Sequence, residues 1–237
     1  MWIVSQLAAV VAAAFAVLLG IQYVSRRRPY QGIWTLALLM FAAASFAVFL
    51  GVLDGWSSGD YRVFWLFGAV LNVPYLAAGE LFLLIRRRSP ITVLLLVLLF
   101  GTAFAVARVR TAHIVGAALD SDLPSGADVF ARDGFALTLA RLYSFPAYAI
   151  LLAGTAWSAW RMRGKPALRD RFAGTLGIAV GATVVAAGSA FAATGNSVGF
   201  SITLAAGVTF MFWGFLRASR PPGHAGSGRE PALGSAR

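Results

Sequence analysis

Apolar residues dominate seven long stretches, separated by short polar or charged breaks. They are Trp2 to Val24, Ile33 to Leu53, Val63 to Ile85, Ile91 to Ala107, Phe135 to Trp160, Phe172 to Thr194 and Val198 to Leu216. A hydrocarbon core of about 30 Å needs about 20 helical residues, and each stretch is close to that length. The strict alternation of a closed barrel is missing, so helices are the one backbone left that can cross lipid. The predicted fold is therefore all-α, a polytopic seven-helix domain over residues 1–216. The tail 217–237, RASRPPGHAGSGREPALGSAR, is rich in Gly, Pro, Ser and Arg and has almost nothing apolar to bury, which predicts disorder.

Composition agrees with the pattern. With 59% hydrophobic and 12% charged residues and a mean hydropathy of +0.76, the chain is too apolar for a soluble globule. A net charge of +11 would suggest nucleic acid in a soluble protein. Here the basic residues bound apolar runs, so they read as topology signals and no nucleic-acid partner is expected. There are no cysteines, which excludes disulfides and thiolate sites; the two histidines, His113 and His224, lie outside the apolar runs, so no metal site is expected.

The basic residues also predict orientation. Arg26 to Arg28, Arg86 to Arg88, Arg161 to Arg171 with Lys165, and Arg217 onward put 15 of the 20 Lys and Arg on one side. The five on the other are Arg62, Arg108, Arg110, Arg132 and Arg141. The positive side faces the cytoplasm, giving N-out and C-in across the cell (cytoplasmic) membrane. No basic residue precedes the first apolar run, so that run reads as a retained helix rather than a secretory signal. The arginine clusters are also candidate contacts for anionic lipids. In the longest break, 109–134, LPSG followed by ADVFARDG fits a short amphipathic helix on the outer surface or a solvated connection.

Segments of equal direction share short matches. AFAVLL (Ala14 to Leu19) resembles AYAILL (Ala147 to Leu152), AAAS (Ala42 to Ser45) resembles AAGS (Ala186 to Ser189), and LAAG recurs at Leu76 and Leu204. Offsets of 133, 144 and 128 residues fit two parallel three-helix units joined by a linking helix, a 3+1+3 repeat. Chance similarity between Ala-rich helices is the competing explanation. The plan is similar to that of the SWEET sugar carriers and rhodopsins in architecture alone. A retinal Schiff base is excluded, since Val198 to Leu216 has no lysine, and no cofactor is expected. GELFLLIRRR, GTAWSAWRMR and FWGFLRASR resemble a family of prokaryotic seven-helix membrane proteins with no assigned activity, which implies the helix count and no functional residue.

Within this apolar frame the few polar residues become candidates. Glu80 is the sole acid inside an apolar segment, and an ionised carboxylate there costs roughly 2.5 to 3.5 kcal/mol. It lies six residues before Arg86, about 9 Å along the helix. It is read either as a proton- or cation-binding group or as a carboxylate paired with a neighbouring helix or arginine. Gly68, Asn72, Tyr75 and Gly79 follow helical spacing on one face of the third segment, and Pro74 frees the carbonyl of Val70. Tyr143, Ser144, Pro146 and Tyr148 form a similar set in the fifth, where Pro146 frees Leu142. Asn72, Tyr75, Glu80, Tyr143, Ser144 and Tyr148 are thus the candidate ligand-binding residues, with interhelical hydrogen bonding as the alternative role. Arg141 is placed at the outer interface. Gly174, Gly177, Gly181 and Gly188, like Gly68 and Gly79, fit close helix packing. Trp157, Trp160 and Trp213 at one side, and Trp2 and Trp56 at the other, fit interfacial belts. No catalytic set of carboxylates, histidines or cysteines stands inside the segments, so an enzyme is disfavoured. A small-solute carrier or ligand-binding bundle leads, and a receptor or accessory protein is the alternative. Neither oligomeric state nor ligand identity is legible.

Overall fold

The computed structural model describes residues 2–85, 88–165 and 168–218. Among these every regular element is helical. Seven helices are long and apolar enough to cross a membrane: α1 (Trp2–Arg26), α2 (Pro29–Asp54), α3 (Ser58–Leu84), α4 (Arg88–Thr111), α5 (Gly134–Met162), α6 (Arg169–Ala193) and α7 (Ser197–Ala218). The chain is an all-α, multi-pass membrane protein. Most helices overrun the apolar stretches that predict them, because hydropathy measures the hydrocarbon core while helical hydrogen bonding continues into the polar flanks. α4, expected over Ile91 to Ala107, gains a turn at its C-terminal end, closing on Arg108 and Arg110. α2 starts at Pro29, where the fixed φ suits a first helical position and the missing N–H costs nothing. α7 continues through Arg217 and Ala218, and the rest of the expected disordered tail lies outside the described residues.

Six of the helices form a closed ring. α1 packs on α2, α2 on α3, α3 on α5, α5 on α6, α6 on α7, and α7 returns to α1. Phe15 of α1 closes the ring against Phe212 and Phe215 of α7, with ring centroids 5.3 and 4.9 Å apart. α4 stands outside, touching α3 and α5 and presenting Val93, Leu96, Val97, Leu99 and Phe100 outward. In lipid that surface needs no protein partner. The α6–α7 seam is the closest approach. A Cβ at Gly181 would stand 2.5 Å from the carbonyl oxygen of Gly207, and one at Gly214 would stand 2.5 Å from that of Gly174. Only hydrogen fits at these positions.

α3 is not a uniform α-helix. An α-helical turn (Ser58–Phe64) passes into a π-helical stretch (Trp65–Leu71) and then back into α-helix (Asn72–Leu84). Pro74 explains the location. It has no N–H, so an α ladder would orphan Val70, whereas a π ladder would orphan Ala69. The hydroxyl of Ser144 on α5 donates to the Ala69 carbonyl at 2.6 Å. That carbonyl is the one next to Val70 O, the group the proline is expected to free.

The connection 109–134 carries a short helix where ADVFARDG suggests one, with Ala127 and Asp128 exposed and Val129 buried, and it packs onto the protein rather than forming a solvated loop. A 3-10 turn (Gly116–Asp120) and a short helical turn (Gly126–Val129) fold over the end of the ring and bury Leu119, Leu123, Val129 and Phe130. They rest on Trp56, Tyr61, Phe64 and Trp65. The phenol of Tyr61 donates to Pro124 O at 3.3 Å, and the indole N–H groups of Trp56 and Trp65 donate to Asp122 O and Ala136 O. Trp56 therefore belongs to this buried cap and not to an interfacial belt. The bundle has a capped end here and a basic end opposite, where Arg27, Arg28, Arg161, Arg163 and Arg217 lie.

Candidate functional site

Polar side chains inside a lipid-embedded ring must find donors and acceptors within the protein. Asn72 on α3 donates Nδ2–H to the carbonyl of Ala37 on α2 at 2.8 Å. The Tyr75 hydroxyl meets Thr102 Oγ1 of α4 at 3.0 Å. Tyr143 and Ser144 on α5 donate to Gly101 O and Ala69 O, and Tyr148 meets Thr183 of α6 at 3.0 Å. The six candidates are therefore divided among several interfaces. Gly68, Asn72 and Gly79 do share the face toward α2: Gly68 lies over Ala44, and Trp34 lies against Gly79 while donating to Leu76 O at 3.1 Å. Tyr75 departs from that face because its longer side chain reaches α4.

Glu80 is 3% exposed, deep in the α3–α5 interface. Ser158 donates its hydroxyl to Glu80 Oε1 at 3.2 Å. Gly154 makes the room, since a Cβ there would sit 2.6 Å from Glu80 Cγ. Among the described residues Arg217 forms an ion pair with Asp170 on α6, at 3.0 Å. The packing partner of the acid is thus a hydroxyl from the neighbouring helix; the side chains of Arg86 to Arg88 lie outside the described residues. Arg141 is exposed beside the capped end.

All six ring helices converge on an apolar cavity of about 30 Å³. Leu19, Leu38, Leu76, Leu151, Ala182 and Phe215 contribute one wall each, and no polar atom lines it. It lies in the basic half of the bundle: Leu76 is one turn past Asn72, and Phe215 is two residues before Arg217. A space of this size holds about one water, and an apolar lining keeps such a space dry. Asn72 and Tyr75 do not reach it.

Several residues were not singled out by sequence reasoning. Arg62 donates to Val109 O and to Ala112 O, the latter at 2.9 Å, and so caps the C-terminal end of α4. A lone arginine at the start of a span gives no sign of which carbonyls it will meet. Gln31 is 2% exposed, donates Nε2–H to Gln22 Oε1 at 3.2 Å, and leaves its own Oε1 without a partner. Its signal was available as an amide two residues before the second apolar stretch. Gly207 and Gly214 on α7 face the α6 stripe, at a seven-residue spacing legible in the sequence.

No protein family matches the chain, and no curated protein and no solved structure is similar to it.

Proposed function

We propose that this membrane protein is a small-solute carrier or ligand-binding bundle. The observation that supports the reading is the break in α3. A helix that leaves the α ladder at mid-membrane, beside a proline, with a carbonyl of the break, Ala69 O, accepting from Ser144 of the facing helix, is the kind of discontinuity around which carriers build binding sites. The six-helix ring leaves α4 outside it, where the connector of a 3+1+3 arrangement would stand. The orientation is N-out and C-in in the cytoplasmic membrane, with the arginines against anionic lipid. Tags at both termini report the orientation, and finding both on one side would overturn it.

Flux into proteoliposomes tests the carrier. Across a broad panel of small solutes at least one should be taken up, and Glu80→Gln and Asn72→Ala should lower that uptake. Uptake of nothing in the panel rules the carrier out. A second reading, a non-transporting receptor or accessory protein, is favoured by one observation: each polar candidate has a partner within the protein, and the axial cavity holds about one water. Absence of flux together with saturable ligand binding selects it.

A further inference from the structure

The α5–α6 interface is shut at mid-membrane and open toward the capped end. Tyr148 stands at the midpoint of the 29-residue α5, and its hydroxyl meets Thr183 Oγ1 of α6 at 3.0 Å. The two helices are antiparallel, so this bridge fixes which residues are level with each other. On α5 the face of Tyr148 continues through Phe145 to Arg141, and on α6 the face of Thr183 continues through Ala187 to Ala190. Helices that stayed packed would cover these two stripes with each other. Instead Phe145 is 68% exposed, and Arg141, Ala187 and Ala190 are exposed as well. Toward the basic end the same interface is closed: Thr155 is buried, and Leu151 and Ile178 share the wall of the axial cavity. Behind the opening Ala140, Ala147 and Ala182 are buried, so it is a groove on the lipid-facing side of the bundle and not an entrance to its interior.

Arg141 stands at the capped end of this groove. It is seven residues from Tyr148, about 10 Å from the middle of the span, where the hydrocarbon half-thickness is about 15 Å. Its side chain is long enough to bring the guanidinium to the level of lipid phosphates while its stem stays among the chains. Two other arginines on this side of the bundle are engaged by the protein, Arg62 by the carbonyls of Val109 and Ala112 and Arg108 by the ring of Phe135 at 4.5 Å. Among the described residues Arg141 has no ion-pair partner. A guanidinium at the hydrocarbon boundary without a counter-charge is costly, and a phosphate supplies one in bidentate geometry.

We propose that the α5–α6 groove is a site for an anionic phospholipid of the leaflet at the capped end, its phosphodiester paired with Arg141 and one acyl chain lying between Phe145 and the α6 alanines as far as the Tyr148–Thr183 bridge. The methyl side chains of Ala187 and Ala190 leave width for the chain, and Phe145 forms the opposite wall. A headgroup with net negative charge is selected, because a zwitterionic one brings its own ammonium to the phosphate. The site lies in the leaflet opposite the arginines of the basic end. It does not depend on whether the bundle carries a solute.

Native mass spectrometry of the full chain in neutral detergent, incubated with phosphatidylglycerol or with phosphatidylcholine, tests the site. The parent should retain one more phosphatidylglycerol than Arg141→Gln, which removes the charge, and one more than Ala190→Phe, which fills the groove. Arg110→Gln, at an exposed arginine on α4 away from the groove, should retain as many as the parent, as should any lipid held at the basic end. Retention of phosphatidylcholine should be the same in the parent and in Arg141→Gln. Arg141 and Ala190 are both exposed, so neither substitution disturbs packing within the bundle, and Arg141→Gln decides alone if Ala190→Phe does not fold. Unchanged phosphatidylglycerol in Arg141→Gln, an equal loss in Arg110→Gln, or a phosphatidylcholine lost along with it overturns the proposal. Loss in Arg141→Gln with full retention in a folded Ala190→Phe overturns it too, since the charge would then act without the groove.

Discussion

Two interhelical hydrogen bonds of similar length differ in what their loss leaves behind. Asn72 donates to Ala37 O, a carbonyl in the interior of α2 that keeps its ladder partner when the amide is removed. Ser144 donates to Ala69 O, inside the π-helical stretch and five residues before Pro74, where a ladder of π spacing would meet the proline's missing N–H. Asn72→Ala should therefore cost about 0.6 kcal/mol, the usual value for such a bond in a membrane. Ser144→Ala should cost about 1–3 kcal/mol, because it strands a carbonyl in a medium without water. Reversible unfolding in bicelles measures both; equal losses would mean that Ala69 O has another donor. Asn72 and Ser144 were both conspicuous in the sequence as polar groups in an apolar field. Their ranking was not, since it depends on whether a carbonyl one helix away is already occupied.

Among whole helices, the α6–α7 pair shows what glycine does that alanine cannot. At Gly181 the obstacle to a Cβ is backbone, Gly207 O at 2.5 Å and Met211 N at 2.7 Å, so α6 and α7 must separate to admit a methyl group. At Gly20 on α1 the nearest atom is a methyl group of Thr35 at 3.6 Å, ordinary contact distance. Gly181→Ala should destabilise by about 1–3 kcal/mol. Gly20→Ala should be neutral or stabilise by up to about 1 kcal/mol through helix propensity. A milder effect at Gly181 than at Gly20 in the same unfolding assay would contradict the seam. The spacing of Gly174, Gly177, Gly181 and Gly188 announced close packing but not the partner. Likewise Pro74 announced a break in α3 but not its π form, because periodicity records which residues repeat and not how many fill each turn. The phase of Tyr75 is legible only once its reach toward α4 is known.

For the whole molecule, hydropathy was enough for seven helices, since lipid imposes one length on every span. It said little about the connection 109–134, whose apolar residues are too few and too scattered to stand out until Trp56, Tyr61, Phe64 and Trp65 gather beneath them. The cap is open to a direct test because the chain has no cysteine, so a single introduced thiol is unique. A maleimide that does not cross membranes should label Leu123→Cys at least tenfold more slowly than Ser121→Cys, since Leu123 is buried and Ser121 exposed. Adding Trp56→Phe, which deletes the bond to Asp122 O, should accelerate the slow site. Similar rates at both positions would show that the cap stands open.

The contact of Phe15 with Phe212 and Phe215 also has a meaning in time. Synthesis places α1 in the bilayer first and α7 last, yet each completes the other's packing. Throughout translation the ring is an open arc whose leading edge faces lipid, and the axial cavity lacks the last of its six walls. A chain interrupted before α7 would leave the small-residue seam of α6 and the Phe15 face bare together, giving quality-control proteases a signature of incompleteness that the finished bundle hides.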